Sequence, residues 1–170
     1  MEKSMSFRFA IFAIVAVALI GTHLCGCDSD SPRAAVNYNE LDLLLSAPLK
    51  LQIDECRLGM DAYLWRDFMP ISPPDGQPLA ASINISTLDS GILAPSIIPL
   101  RLWVVKSDSE VWQTDIPTEQ IRRYETFLEF PATDGPKWEP GISVEVIVEL
   151  RKDDQSYYLR ASDVLIHRTD

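Results

Sequence analysis

ISVEVIVELRKDDQSYYLRASDVLIH, residues 142–167, is the stretch that decides the fold. Its first part alternates apolar residues with mostly polar ones, the period of two that is typical of a half-buried strand. The apolar positions are Ile142, Val144, Val146, Val148 and Leu150. The polar run Lys152–Gln155 then favours a turn, and Tyr157–His167 returns as a second strand. The stretch therefore predicts an antiparallel hairpin with one buried face.

The alternation also predicts which side chains of this hairpin lie inside. Val146 and Val148 share a face and should be buried, whereas Glu145 and Glu149 lie on the other face and should contact water. A slip of one residue in the pairing would exchange the two sets, so the burial of these four side chains tests the register.

Strand patterns of the same kind occupy much of the chain that precedes this hairpin. Prolines exclude a regular element from Pro70 to Pro78, and no long helical period occurs in the later part of the chain. A helical turn is predicted at Leu41–Leu45, and another at Pro117–Arg122 with Thr118 as its cap. The further predicted strands are Leu49–Ile53, Ala62–Met69, Ala81–Leu88, Leu100–Lys106, Glu110–Asp115 and Arg123–Phe130. About seven or eight short strands at this spacing predict an all-β sandwich of two antiparallel sheets.

The N-terminus carries a pattern of its own. Lys3 and Arg8 precede the uncharged run Phe9–Ile20, which is short for a transmembrane helix and typical of a secretory signal. The run ends at Leu24-Cys25-Gly26-Cys27, which resembles the signal of bacterial lipoproteins. That resemblance implies cleavage before Cys27 and lipidation of its thiol, although Cys25 stands where another small residue is commoner. An ordinary signal peptide and an uncleaved anchor are the alternatives.

This resemblance sets the expected organisation of the chain. Residues 1–26 are the signal peptide, residues 27–47 a lipidated tether and residues 48–170 the folded domain. The expected location is the bacterial cell envelope, facing the periplasm. Asp28 resembles the signal that retains enteric lipoproteins at the inner membrane, but this rule varies between bacterial groups and leaves the membrane open.

The order of predicted elements resembles the immunoglobulin-like domains of bacterial surface and periplasmic proteins. The resemblance is densest from Leu100 to Asp170 and implies an immunoglobulin-like fold without an assigned activity. It rests on four segments: Leu102–Val105, Glu110–Trp112, Pro136–Gly141 and Tyr158–Ala161. The cysteine pair of antibody domains is absent from this sequence, so their disulfide chemistry does not transfer.

The charge balance limits the classes of partner. The chain has 15 basic and 25 acidic residues, a net charge of −10 at pH 7. Such a surface repels nucleic-acid phosphates and anionic lipid headgroups, so a nucleic-acid partner is not expected and membrane attachment is expected through the lipid alone.

Catalytic and metal-binding patterns are sparse. The two histidines are His23, within the signal, and His167. Cys56 is expected to be a small buried hydrophobic residue once Cys25 and Cys27 are accounted for. No nucleophile elbow, phosphate loop or zinc-protease motif occurs, and the aspartates of predicted turns match no calcium loop. We therefore expect no enzyme, no metal and no cofactor.

Four tryptophans raise the question of a sugar-binding platform. Trp65 and Trp103 lie in apolar strand contexts and are expected in the core. Trp112 and Trp138 are the weak candidates for ligand binding, because their contexts are more polar and Trp138 lies in a turn flanked by prolines. Packing against the loop bases is the favoured role even for these two.

The sequence supports one leading hypothesis and two alternatives. A lipid-anchored immunoglobulin-like module of the cell envelope would bind another protein or an envelope component through its loops or edge strands. A glycan- or small-ligand-binding domain that uses Trp112 and Trp138 is the alternative. A periplasmic hydrolase with an unrecognised site ranks third; a nucleophile pair of Cys56 and His167 would need an orienting third group and an exposed thiolate, and the sequence indicates neither.

Overall fold

The computed structural model describes residues 38–89 and 91–170. Helix α1 spans Tyr38–Leu45, and a 3-10 turn spans Thr118–Gln120. The strands are β1 (Lys50–Ile53), β2 (Cys56–Asp67), β3 (Leu79–Thr87), β4 (Ile97–Ser107), β5 (Glu110–Asp115), β6 (Arg122–Arg123), β7 (Phe127–Gly135), β8 (Ser143–Lys152) and β9 (Gln155–Thr169). The predicted signal peptide, Cys27 and most of the predicted tether lie outside these residues.

The nine described strands form one curled mixed sheet, a half-barrel. Their order is β5-β4-β8-β9-β2-β3-β7-β6, with β1 paired to β2. The mostly-β class is as predicted, but the strands follow one continuous path and not two separate antiparallel sheets. All pairs are antiparallel except β2 and β9, which run parallel.

Strand β9 joins the two halves of the sheet because it is long enough to belong to both. Residues Gln155–Leu165 pair with β8, and Ile166–Thr169 then pair with β2. A bulge at residues 162 and 163 interrupts the pairing with β8 shortly before the strand passes to β2, and Asp163 there adopts a left-handed backbone conformation (φ 55°). The Asp163 N–H donates to a carboxylate oxygen of Glu145 at 3.3 Å. The extra residues let the strand bend from one half to the other.

The core lies on the concave side of the curled sheet. Val146 and Val148 are fully buried there, as the alternation predicts, whereas Glu145 and Glu149 are partly exposed. Ile147, on the face of the two glutamates, is also fully buried. Ile147 is buried because helix α1 packs on the convex face of the sheet.

Helix α1 covers that convex face. Leu41 and Leu44 pack against Trp103, Val105 and Ile147, forming a second and smaller apolar cluster. This confirms the predicted helical turn. The last part of the predicted tether therefore packs on the domain through Leu41, Leu44 and Ala47.

Two predicted turns and one predicted cap can be compared with the structure. The hairpin between β8 and β9 turns at Asp153 and Asp154, and Asp153 has a φ of 55°. The predicted hairpin between β4 and β5 is likewise present. The prediction of Thr118 as a cap was wrong: Pro117 is the capping residue, no side chain caps the turn, and Thr118 is its first residue.

Arg66 ties together two loops at one end of the sheet. Its buried guanidinium donates to the carbonyl oxygens of Gln77 at 2.9 Å and of Lys137 and Trp138 at 3.2 Å each, and also to that of Asp75. The loop before β3 and the loop before β8 are thus held by one side chain. Nearby, the Lys137 ammonium lowers the pKa of Asp75 through a 2.6 Å ion pair.

Among the described residues, no helix has the length and apolar character that crossing a bilayer requires.

Candidate binding surface

The two tryptophans predicted as surface candidates lie in the core. Trp112 is 9% exposed and Trp138 is 6% exposed. A Cβ on Gly135 would come within 2.9 Å of the Trp112 ring, so that ring fills the space above the glycine. Neither ring offers an open face to a ligand, which corrects the surface placement and agrees with the packing role. Trp112 is buried because it occupies an inward position of β5. Trp138 is buried because the loop before β8 folds against the core.

The other two tryptophans were both predicted to be buried in the core, and only one of them is. Trp103 is buried as predicted, on the side of the sheet that α1 covers. Trp65 was predicted in the core but is only partly buried, because it occupies an outward position of β2. Its neighbours Leu64 and Arg66 point inward.

The outward residues of β2 form a pattern that we call the β2 stripe: Asp61, Tyr63, Trp65 and Asp67. Two aromatic residues are bracketed by two carboxylates at alternate positions of one strand. The residues of β3 that pair with Asp61, Tyr63 and Trp65 are small or short: Asn84, Ser82 and Ala80. The stripe therefore stands above its neighbours on one side of the sheet.

The aromatic rings of the stripe stack with His167 of β9. The Tyr63 ring lies 5.4 Å from the Trp65 ring and 4.8 Å from the His167 ring, with interplanar angles of 27° and 23°. Trp65 and His167 occupy the same register position, two residues beyond Tyr63. Asp61 lies two residues before Tyr63 on the same face of β2, on the side away from that register position, and the Tyr63 side chain is 47% exposed.

A groove opens beside the stripe, where β2 and β9 separate; we call it the seam groove. Its volume is about 370 Å³, near the lower end of the range of about 300–1,000 Å³ for small-molecule pockets. Leu49, Leu165 and Tyr63 are exposed apolar side chains in or beside it. The lining residues are Leu49, Met60, Asp61, Ala62, Arg160, Ala161, Ser162, Val164, Leu165 and His167.

The backbone that borders this groove has an unpaired edge. Strand β2 pairs with β1 as far as Gly59 and with β9 from Leu64 onwards. Within the described part of the chain, residues 60–63 have a ladder partner on the β3 side only. The groove is thus bordered by main-chain groups that a ligand can reach.

The charge of the groove is negative. Arg160 lies in it, but its guanidinium is paired with Glu145 at 2.7 Å and donates to the carbonyl of Ala47 at 3.0 Å. Asp61 makes no ion pair or hydrogen bond with any residue that the structure describes. Asp67 accepts one hydrogen bond, from the backbone of Met69 at 2.8 Å, and has no cationic partner within the same part of the chain. A carboxylate on an open sheet face is left to attract a cation.

The groove also contains residue types that occur in hydrolases. Asp61, Ser162 and His167 all line it. No hydrogen bond among the described residues joins these three side chains, so no proton relay connects them in this arrangement. Over residues 38–89 and 91–170, no cluster of three His, Cys, Asp or Glu side chains has the geometry of a metal site.

Cys56, predicted as a buried hydrophobic residue, lies at the start of β2. Its side chain is partly buried and packs against the core, and its Sγ donates to the carbonyl of Ile92 at 3.4 Å. His167 lies in the seam groove and pairs with Trp65, near the opposite end of β2 from Cys56. The absence of a catalytic role for Cys56 stays a prediction.

The spacing of residues in the sequence predicts the β2 stripe, although their hydrophobicity alone does not. Asp61, Tyr63, Trp65 and Asp67 are spaced by two, which places them on one face of a strand. The second face includes Leu64, an obvious core residue, so the stripe is the outward face. The prediction that Trp65 lies in the core rests on its apolar strand context and not on this alternation.

Comparison of the chain with protein-family models, with curated proteins and with solved structures returned no match.

Proposed function

We propose that this protein is a lipid-anchored, immunoglobulin-like module of the cell envelope that binds another protein or envelope component. The binding surface is the β2 stripe with the adjoining seam groove. The observation that carries the proposal is the meeting of three exposed apolar side chains, Leu49, Tyr63 and Leu165, in or beside one groove. Apolar groups gathered in this way are typical of an interaction site.

The strand order supports the immunoglobulin-like part of the proposal. The order β2-β3-β7-β6 corresponds to the A-B-E-D sheet of that fold, and β5-β4-β8-β9 corresponds to its C′-C-F-G sheet. The first and last strands of this scheme, β2 and β9, are the parallel pair that links the halves.

The envelope location rests on the sequence. Leu24–Cys27 resembles the lipoprotein signal, and a mature lipoprotein carries enough acyl chains for stable anchoring. We expect Cys27→Ala to lose the label of a palmitate analogue and to leave the membrane fraction. Labelling equal to that of the wild type would refute lipidation at Cys27.

A glycan-binding role is the second candidate, now placed on the β2 stripe and not on Trp112 and Trp138. The observation that favours it is the half-exposed Tyr63 ring on a strand whose β3 partners here are Ser82 and Asn84, which combines an aromatic surface with hydrogen-bonding side chains. Both features are those of a sugar subsite.

Site-specific photocrosslinking in cells tests the proposed surface. A benzophenone side chain at position 165 should give a discrete crosslinked product, whereas the same group at position 124 should not. Tyr124 is the matched control, since it is 46% exposed against 41% for Leu165 and belongs to another aromatic pair, with Phe127. Equal products from both positions, or none from position 165, would contradict the proposal.

A further inference from the structure

We propose that the β2 stripe binds an extended segment of a protein partner through two basic side chains, each held between an aromatic ring and a carboxylate. This inference rests on the proposed function, and names the chemistry of the partner at the same surface. The first subsite lies between Tyr63 and Asp61, and the second lies beside Trp65 and Asp67.

The first step of the argument is charge. Asp61 and Asp67 are the two carboxylates of the stripe, and neither has a cationic partner among the described residues. The arginine nearest to the groove, Arg160, is already neutralised by Glu145. The whole chain has a net charge of −10, which adds a long-range attraction for cations and repels anionic ligands.

The second step is the ring geometry. Trp65 and His167 both lie two residues beyond Tyr63 in the register, Asp61 lies two residues before it on the same face, and the Tyr63 side chain is 47% exposed. Residues two apart on a strand are separated by about 7 Å. An ammonium or guanidinium group in this interval can lie over the ring and beside the carboxylate, and both contacts favour the cation.

The third step is the spacing. The two subsites are four residues apart on β2, which corresponds to about 13 Å along a strand. An extended peptide that lies along the stripe has residues i and i+4 on the same side at this same distance. Residues i and i+3 point to opposite sides, so they cannot both reach the stripe. The surface therefore selects basic residues four apart.

Two peptides of identical composition test this spacing on the full-chain protein in detergent at low salt. Acetyl-Lys-Thr-Thr-Thr-Lys-Thr-amide has its lysines at i and i+4, and acetyl-Lys-Thr-Thr-Lys-Thr-Thr-amide has them at i and i+3. Binding is followed by amide chemical shifts. We expect the first peptide to bind more tightly by about two- to fivefold, with the largest shifts on β2 and β9. Equal affinities would overturn the proposal.

Matched variants test the subsite itself. Asp61→Asn and Tyr63→Leu should each weaken binding of the i, i+4 peptide by about two- to fivefold. Asp108→Asn removes the same charge from an exposed turn, and Tyr124→Leu removes a ring of equal exposure, so both should leave binding unchanged. Equal weakening by Asp61→Asn and Asp108→Asn would overturn the proposal in favour of non-specific charge. Because the two peptides are compared on the wild type, the proposal stays falsifiable if a variant fails to fold.

A neutral oligosaccharide separates this inference from the glycan alternative. Cellotetraose should not shift the stripe residues; if it does so while the i, i+4 peptide does not, the basic-peptide proposal is wrong and the glycan role is favoured. If the peptide fails to bind while the crosslink from position 165 still forms, this inference is refuted and the proposed function stands. Failure of both experiments would remove the proposed function as well.

Discussion

Arg66 is a charged residue in the interior of the sheet, and its charge is balanced by carbonyl dipoles. Among the residues that the structure describes, Arg66 is the one charged residue that is buried. The planar guanidinium donates from its edge to carbonyls of two loops at once. The compact ammonium of lysine has no such fork, so arginine is required at this position.

We predict that Arg66→Met lowers the free energy of unfolding by about 2–4 kcal/mol, because several buried carbonyls lose their donor. Arg66→Lys should recover only part of this loss, since one ammonium cannot reach both loops. Urea denaturation measures both variants. Arg122→Met is the control and should change the free energy by less than about 0.5 kcal/mol, because the side chain of Arg122 is largely exposed. Full rescue by lysine would contradict the forked contact.

The register of β8 gives a second prediction at this scale. Val148→Ala should lower the free energy of unfolding by about 1–3 kcal/mol, because the lost transfer free energy and the remaining cavity add. Glu149→Ala should change it by less than about 0.5 kcal/mol. Ile147→Ala should cost at least as much as Val148→Ala, since Ile147 is buried beneath α1. Denaturant midpoints in the reverse order would place the pairing one residue out of register.

At the scale of elements, α1 is attached to the sheet by apolar packing and by one ion-paired arginine. Leu41 and Leu44 face the sheet. Just beyond the helix, Arg160 donates to the carbonyl of Ala47 and pairs with Glu145 of β8. Burial raises the pKa of Tyr158, which packs against the same cluster. The helix is therefore part of the domain.

Adjacent leucines of α1 allow a matched test. Leu44 is 1% exposed and Leu43 is 54% exposed. We predict that Leu44→Ala lowers the free energy of unfolding by about 2–4 kcal/mol, whereas Leu43→Ala changes it by less than about 0.5 kcal/mol. Thermal or urea denaturation of the two variants makes the comparison. Similar losses for both would show that α1 does not pack through the Leu44 face in solution.

At the scale of the molecule from Tyr38 onwards, the two halves of the sheet share one core. Leu64 and Ile83 of one half and Val104, Val146 and Val148 of the other belong to the same apolar cluster. Neither half encloses a core by itself, so the two should unfold together.

We predict one cooperative transition that two probes report equally. Tryptophan emission and the reactivity of Cys56 with a thiol reagent should have the same urea midpoint in a Cys25→Ser, Cys27→Ser chain, where Cys56 is the single thiol. Cys56 should react slowly in the folded protein, because its side chain packs against the core. An earlier midpoint for the thiol would mean that the end of β2 opens on its own.

The fold and the site differed in how far the sequence predicted them. Alternation in residues 142–167 predicted β8, β9, their turn and the burial of Val146 and Val148. It did not predict the burial of Ile147, because that depends on a helix distant in sequence. For the binding surface, the spacing of Asp61, Tyr63, Trp65 and Asp67 was visible, whereas the contribution of His167 requires the parallel pairing of β2 with β9.

The sequence by itself determined the β class, the positions of most strands, the acidic charge and the resemblance of Leu24–Cys27 to a lipid-attachment signal. These are local or compositional properties, which neighbouring residues fix. Only the tertiary structure decided that Trp112 and Trp138 are covered, that β9 joins both halves of one sheet and that three rings meet beside a groove. Those outcomes depend on contacts between residues about a hundred positions apart, such as Tyr63 and His167, for which no local pattern in the chain carries information.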